Sequence, residues 1–331
     1  MATGAQGNMG IRIILFMGIG TFLFLMLVSF GVKQSLKPQE NSRVPDGPSQ
    51  SPFDAARAWN DLEFLVGLGP RPSQSEGMAQ QQAYIQRELR RAGLPVHRLE
   101  GKFDTAQGPA ELVNIRGVVT GTMPGVIILS THCDSFVDGD TPIVDANGSA
   151  SGTAWLLEMA RTLGSTWEGR TLWLLFYDGN NTPNGPHGSR VFHEQLKQAG
   201  ALSSVHAVLN VEAIGDCYLS LSKDERAPHW LTEVLWNTAD RQGYSSHFGL
   251  FSEDQASNHS PFRDAGIPAL ELRDFRYGGS PVDHQKNWQT EADTLDKLCM
   301  GSLRAVGDVI YHALLAIDGQ LNTTGTRTDG H

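Results

Sequence analysis

The segment TLWLLFY, residues 171–177, is apolar throughout. Seven residues is strand length, and a strand without a polar face must be covered on both sides. Residues 207–214 and 267–272 read as further buried strands, and 113–119 and 126–131 as strands before them. Between them lie amphipathic helical patterns at 53–68, 76–92, 149–163, 189–199, 229–242 and 294–315. In the third of these, Ala150, Ala154, Leu157 and Ala160 share one face. Pro70 and Pro72 separate the first two. Strands alternating with helices predict an α/β fold, a three-layer α/β/α sandwich around a mixed, largely parallel central sheet. In such folds chemistry sits at the carboxyl ends of the strands.

The chain has 331 residues, with 26 Lys and Arg against 36 Asp and Glu, a formal net charge of −10. That balance, with no basic run, argues against a nucleic-acid partner. Ile13 to Val32 is uncharged, between Arg12 and Lys33. Twenty helical residues span about 30 Å, the hydrocarbon thickness of a bilayer. The expectation is a single-pass membrane anchor within residues 1–32, with the globular part on the exported side. The alternative is a signal peptide cleaved after Gly31, leaving a secreted protein. Residues 33–52 read as a flexible linker, 53–318 as one domain and 319–331 as a disordered tail. Cys133, Cys217 and Cys299 are too few for a disulfide scaffold, and an odd count leaves one thiol free unless chains pair.

The strand ends carry the polar residues. The first gives THCDS, with His132 and Asp134; a His two residues from an Asp can present a metal ligand and its carboxylate partner. Asp145, in VDANGSASG, precedes a helix whose first-turn amides favour an anion. The later ends give YDGNN with Asn180 and Asn181, NVEAIGD with Glu212 and Asp216, ASNHSPFRDAGIPALEL with Asn258 and His259, and NWQTEADTLDKL with Trp288 and Gln289.

In order and spacing these segments resemble the zinc-dependent aminopeptidase family that also contains the glutaminyl-peptide cyclotransferases, most closely its bacterial cyclotransferase-like branch. LGPRPSQSEGMAQQQAYIQRELRRAGLPV, LLEMARTL, HGSRVF and DTLDKL add to the likeness, which covers most of residues 53–316. The resemblance implies a zinc site at the sheet's carboxyl edge. Two-metal aminopeptidase ligands would fall at His132, Asp145, Asn181, Glu212 and Gln289; the single-zinc cyclotransferase ligands would fall at Asp145, Asn181 and Gln289. The family expects Glu at 181 and His at 289. Its general acid/base, a Glu, falls at Asn180, and its hydrogen-bonding acids, usually Asp, fall at Glu212 and Asn258. Trp288 would line the substrate pocket.

Amide oxygens are poor zinc ligands, and Asn180 cannot move a proton near neutral pH. The main expectation is therefore a membrane-tethered pseudoenzyme whose pocket still accepts a peptide N-terminus or another small polar ligand. An active enzyme with a rearranged metal site is the alternative, drawing on His132, Asp134, Asp145, Glu212, His259 and His284, with Asp283 helping to place His284. A thiol chemistry at Cys133 is disfavoured, because adjacent strand residues point to opposite faces.

Overall fold

A computed structural model describes residues 43–44, 47–105, 108–253, 257–278 and 286–325. The apolar run from Ile13 to Val32 and the pair Asp283 and His284 lie outside them.

Five strands form the central sheet: β1 (Val96–Thr105), β2 (Gly108–His132), β3 (Thr166–Tyr177), β4 (Val205–Glu212) and β5 (Ala269–Arg273). The two strands expected at 113–119 and 126–131 are parts of one, and β2 meets β3 twice. Its first half pairs antiparallel with β1 and sets Ile115 opposite Phe176 and Val119 opposite Leu172. Its second half runs along β3 in the other sense, from Val126 opposite Thr171 to His132 opposite Tyr177. The turnabout needs glycine: a Cβ on Gly121 would lie 2.3 Å from the Thr171 amide nitrogen, and Gly125 has φ +97°. Parallel pairing continues from β2 to β4 and from β4 to β5, where Glu212 faces Arg273.

The side chains alternate across this sheet as period two requires. Ile127, Leu129, Leu172, Leu174 and Phe176 enter one core with α1 (Ala55–Gly67), α2 (Glu76–Arg91), α3 (Gly152–Leu163), α5 (His229–Arg241) and α6 (Met300–Gly325). Ile128, Leu175 and Tyr177 enter the other, with Phe192 and Leu196 of α4 (His187–Gln198). The apolar segment 171–177 is thus buried on both faces, each large side chain contributing roughly 1.5–3 kcal/mol. Asp54 caps α1, its Oδ1 accepting from the Ala56 and Arg57 amides, and Ser75 caps α2.

Three expectations need correction. The tail expected to be disordered from 319 is helical through Gly325, because Ile317 and Leu321 continue the apolar face of Ala313 and Leu314. Residues Val44 and 47–52, expected within a flexible linker, are bound to the domain: Val44 is buried, its amide donating to the Cys217 carbonyl. The Gln50 amide and the Ser51 hydroxyl donate to Asp308 of α6, and Arg304 donates to the Gly47 carbonyl. Polar composition suggested a solvated chain, but Asp308 is fully buried and needs those donors. Finally, β1 and the short parallel pair Leu221–Asp224 and Phe248–Glu253 were not anticipated: β1 is largely polar, and the pair is only four and six residues long. α6 is long and apolar enough to cross a membrane, yet 72% of that window is buried inside the protein, so it is a core helix.

Asp308→Ala removes the acceptor shared by Gln50, Ser51 and the Tyr244 hydroxyl. The expected outcome is faster limited proteolysis near residues 47–52 and a stability loss of about 2–3 kcal/mol, read from urea unfolding. An unchanged cleavage pattern would show that the segment is held by other contacts.

Candidate functional site

Three strands of the sheet end on polar residues that face one pocket: His132 ends β2, Glu212 ends β4 and Arg273 ends β5. Asp145, Asn180, Asn181, Trp288 and Gln289 complete its wall, with Gly148, Gly185, Pro186 and Ser257, around a cavity of about 170 Å³. Seven of the residues singled out from sequence therefore meet in one place. Asn258 is fully buried beside it, donating through Nδ2 to Asn180 Oδ1 at 2.9 Å.

Asp134 lies under the pocket and fixes the turn after β3. Its two carboxylate oxygens accept from the amides of Asn180 and Asn181, at 3.0 and 2.6 Å. Asn181 Nδ2 donates to the Asp134 carbonyl at 2.9 Å and reaches Asp145 Oδ2 at 3.4 Å. Two oxygen neighbours decide the amide's orientation, since flipping it would set oxygen against oxygen. Asp145 has φ 56° and is buried, with Gly148 leaving room for its carboxylate. It makes no cap to the following turn (Ala146–Ser151). That role belongs to Asp293, which accepts from the Asn147 amide at 2.7 Å, the Gly148 amide at 3.0 Å and the Tyr277 hydroxyl at 2.8 Å. Burial, and then Asp145, push the Asp293 carboxyl up to about 7.

His132 Nδ1 lies 3.1 Å from the Asp134 carbonyl, and its Nε2 lies 3.7 Å from Glu212 Oε2. Burial opposes the imidazolium, but Asp134 and Glu212 outweigh it and push His132 up to about 9. Burial would likewise raise Glu212, yet His132 and Arg273 hold it below the usual carboxylate range. Glu271, beside Glu212, is pushed well up by burial and by that neighbour. Arg273 was not singled out from sequence. Its Nη1 lies 3.4 Å from Glu212 Oε1, and its guanidinium stacks 4.3 Å from the Trp288 ring centroid and 4.9 Å from that of Phe275. A strand-end arginine ordinarily reads as a solvated charge; no local signal marks this one as buried.

Other candidates fall elsewhere. His259 is fully buried and held by Asp224 at 2.9 Å and Glu271 at 3.6 Å, so it braces the fold. His187 stacks on Phe103 and contacts the Pro183 carbonyl. Cys133 is fully buried, its thiol on the Tyr177 carbonyl, and burial pushes its pKa far up, so it is no nucleophile. Cys217 and Cys299 form a disulfide across 82 positions.

An α/β/α sandwich with a histidine and carboxylates gathered at the carboxyl edge of its sheet defines a peptidase-like α/β domain. The chain matches Peptidase family M28 over residues 114–314, and it belongs to that family. It is 22% identical over 270 residues to aminopeptidase YwaD of Bacillus subtilis, covering 77% of this chain and only 55% of that protein. The glutaminyl cyclase of an Acidobacteriales bacterium superposes with a TM-score of 0.76 at 27% identity, over 83% of this chain and 99% of that one. A Zn-dependent exopeptidase of Parabacteroides distasonis shares the fold, with a TM-score of 0.70 at 22% identity over 83% and 99% of the two chains.

The residues present do not fit the zinc of such relatives. A catalytic zinc site needs three deprotonated or neutral-imidazole ligands and one open position. Here position 181 turns an amide N–H, a donor, toward Asp145, and position 289 offers a second amide. Glu212 Oε1 lies 3.4 Å from the Arg273 guanidinium, a permanent cation, and its Oε2 lies 3.7 Å from His132 Nε2.

Proposed function

We propose that this chain is a membrane-tethered M28 domain that binds a peptide N-terminus or another small polar ligand without turning it over. The supporting observation is the Asn181 amide, whose nitrogen donates to Asp145 where a carboxylate ligand would be needed. Asn180, hydrogen-bonded to Asn258, supplies no proton acceptor of useful basicity at the place of the acid/base. Of the histidines that a rearranged metal site could draw on, His259 is committed to Asp224. The disulfide supports an exported location, because such bonds persist in oxidising compartments.

Titrating the full-length protein with a peptide bearing N-terminal glutamine is expected to show binding, with the peptide recovered uncyclised. Recovery of the cyclised peptide in molar excess over protein would contradict the proposal.

A further inference from the structure

The changes at 180, 181 and 289 remove ligands and base, but Arg273 does something different: it places a permanent positive charge in the pocket. Its side chain is more than nine-tenths buried, lined up with Glu212 by the pairing of β4 with β5. Trp288 and Phe275 stack on the guanidinium, and Glu212 Oε1 lies 3.4 Å from its Nη1. Trp288 and Gln289, the last ligand position, line the same pocket as this cation. A guanidinium is never deprotonated in such a setting and cannot leave without exposing a buried carboxylate.

We infer that Arg273 is the resident cation of this pocket and that its charge, independently of the missing ligands, keeps a divalent metal out. The inference rests on the metal-free reading above and adds to it a charge that lies outside the ligand positions. A +2 ion in the pocket that Arg273 lines would be repelled by this fixed +1 charge even at an effective dielectric near 20. Restoring the three ligand and base positions alone should therefore not restore the site.

The test uses the full-length chain in detergent and Co²⁺ as the probe, read by its ligand-field absorption. Four proteins are compared with the wild type: the triple variant Asn180→Glu, Asn181→Glu, Gln289→His, and that triple combined with Arg273→Leu, Arg273→Gln or Arg273→Lys. The Leu and Gln forms are expected to bind Co²⁺ at least about 10-fold more tightly than the triple, and the Lys form as weakly as the triple. Should the Leu form lose its far-ultraviolet dichroism, the Gln form, which keeps polarity and near-equal length, decides. Equal affinity of the triple and the Gln form would overturn the role of Arg273 while leaving the proposed function intact. Failure of both folded forms to bind would overturn it too. Tight binding by the wild type would overturn the inference and the proposed function together.

Discussion

Asn180→Glu alone is expected to leave release of ammonia from a peptide with N-terminal glutamine at the buffer rate. A positioned general base contributes about 10²–10⁴-fold, so a site lacking only that group would regain this factor on reversion. This pocket lacks more. The new carboxylate would take over the hydrogen bond from Asn258 Nδ2 and find Asp134 beneath it, holding the backbone amides of 180 and 181. No metal would be held there to polarise the amide carbonyl, because Asn181 and Gln289 are unchanged. Turnover of the variant at ordinary enzyme rates, about 1 s⁻¹ or more, would mean that the missing base was the sole defect.

The largest stability effect is expected from Trp155→Ala. Trp155 is fully buried in α3, the helix that follows the Asp145 turn and packs over β2 and β4. The fit there is close: a Cβ on Gly152 would lie 2.3 Å from Thr131 Oγ1 and 2.7 Å from the Val211 carbonyl. The helix cannot move inward to fill a void without collisions, so the cavity left by the indole persists. A loss of about 3–5 kcal/mol follows, visible as a lower urea midpoint with little change in slope. A loss under about 1 kcal/mol would show that this layer collapses freely.

The parts of this molecule that sequence discloses are those written in apolar periodicity. Segment 171–177 announces a sheet covered on both sides, and the polar residues that end the apolar runs, His132 and Glu212, point to where the site lies. Asn180, Asn181 and Gln289 are legible because they stand where a recognisable pattern has other residues. Contacts that depend on distant partners are not legible. Arg273 is the last residue of β5, and only folding shows Trp288 over it and Glu212 beside it. Asp293 caps a turn that begins 147 positions earlier, whereas the sequence placed only Asp145 beside those first-turn amides. The linker misled for a similar reason: the acceptor for its amides and hydroxyl, Asp308, lies more than 250 residues away.

The central proposal is that the carboxyl edge of this sheet holds, in place of a metal centre, a network in which Asn181 joins Asp134 to Asp145, and His132 joins Asp134 to Glu212 and so to Arg273. Metal analysis of the full-length wild-type protein, purified with zinc supplied and then freed of loosely held ions by gel filtration, tests it most directly. The account predicts zinc far below one equivalent per chain; about one tightly held zinc per chain, as a formed site would retain, would contradict it.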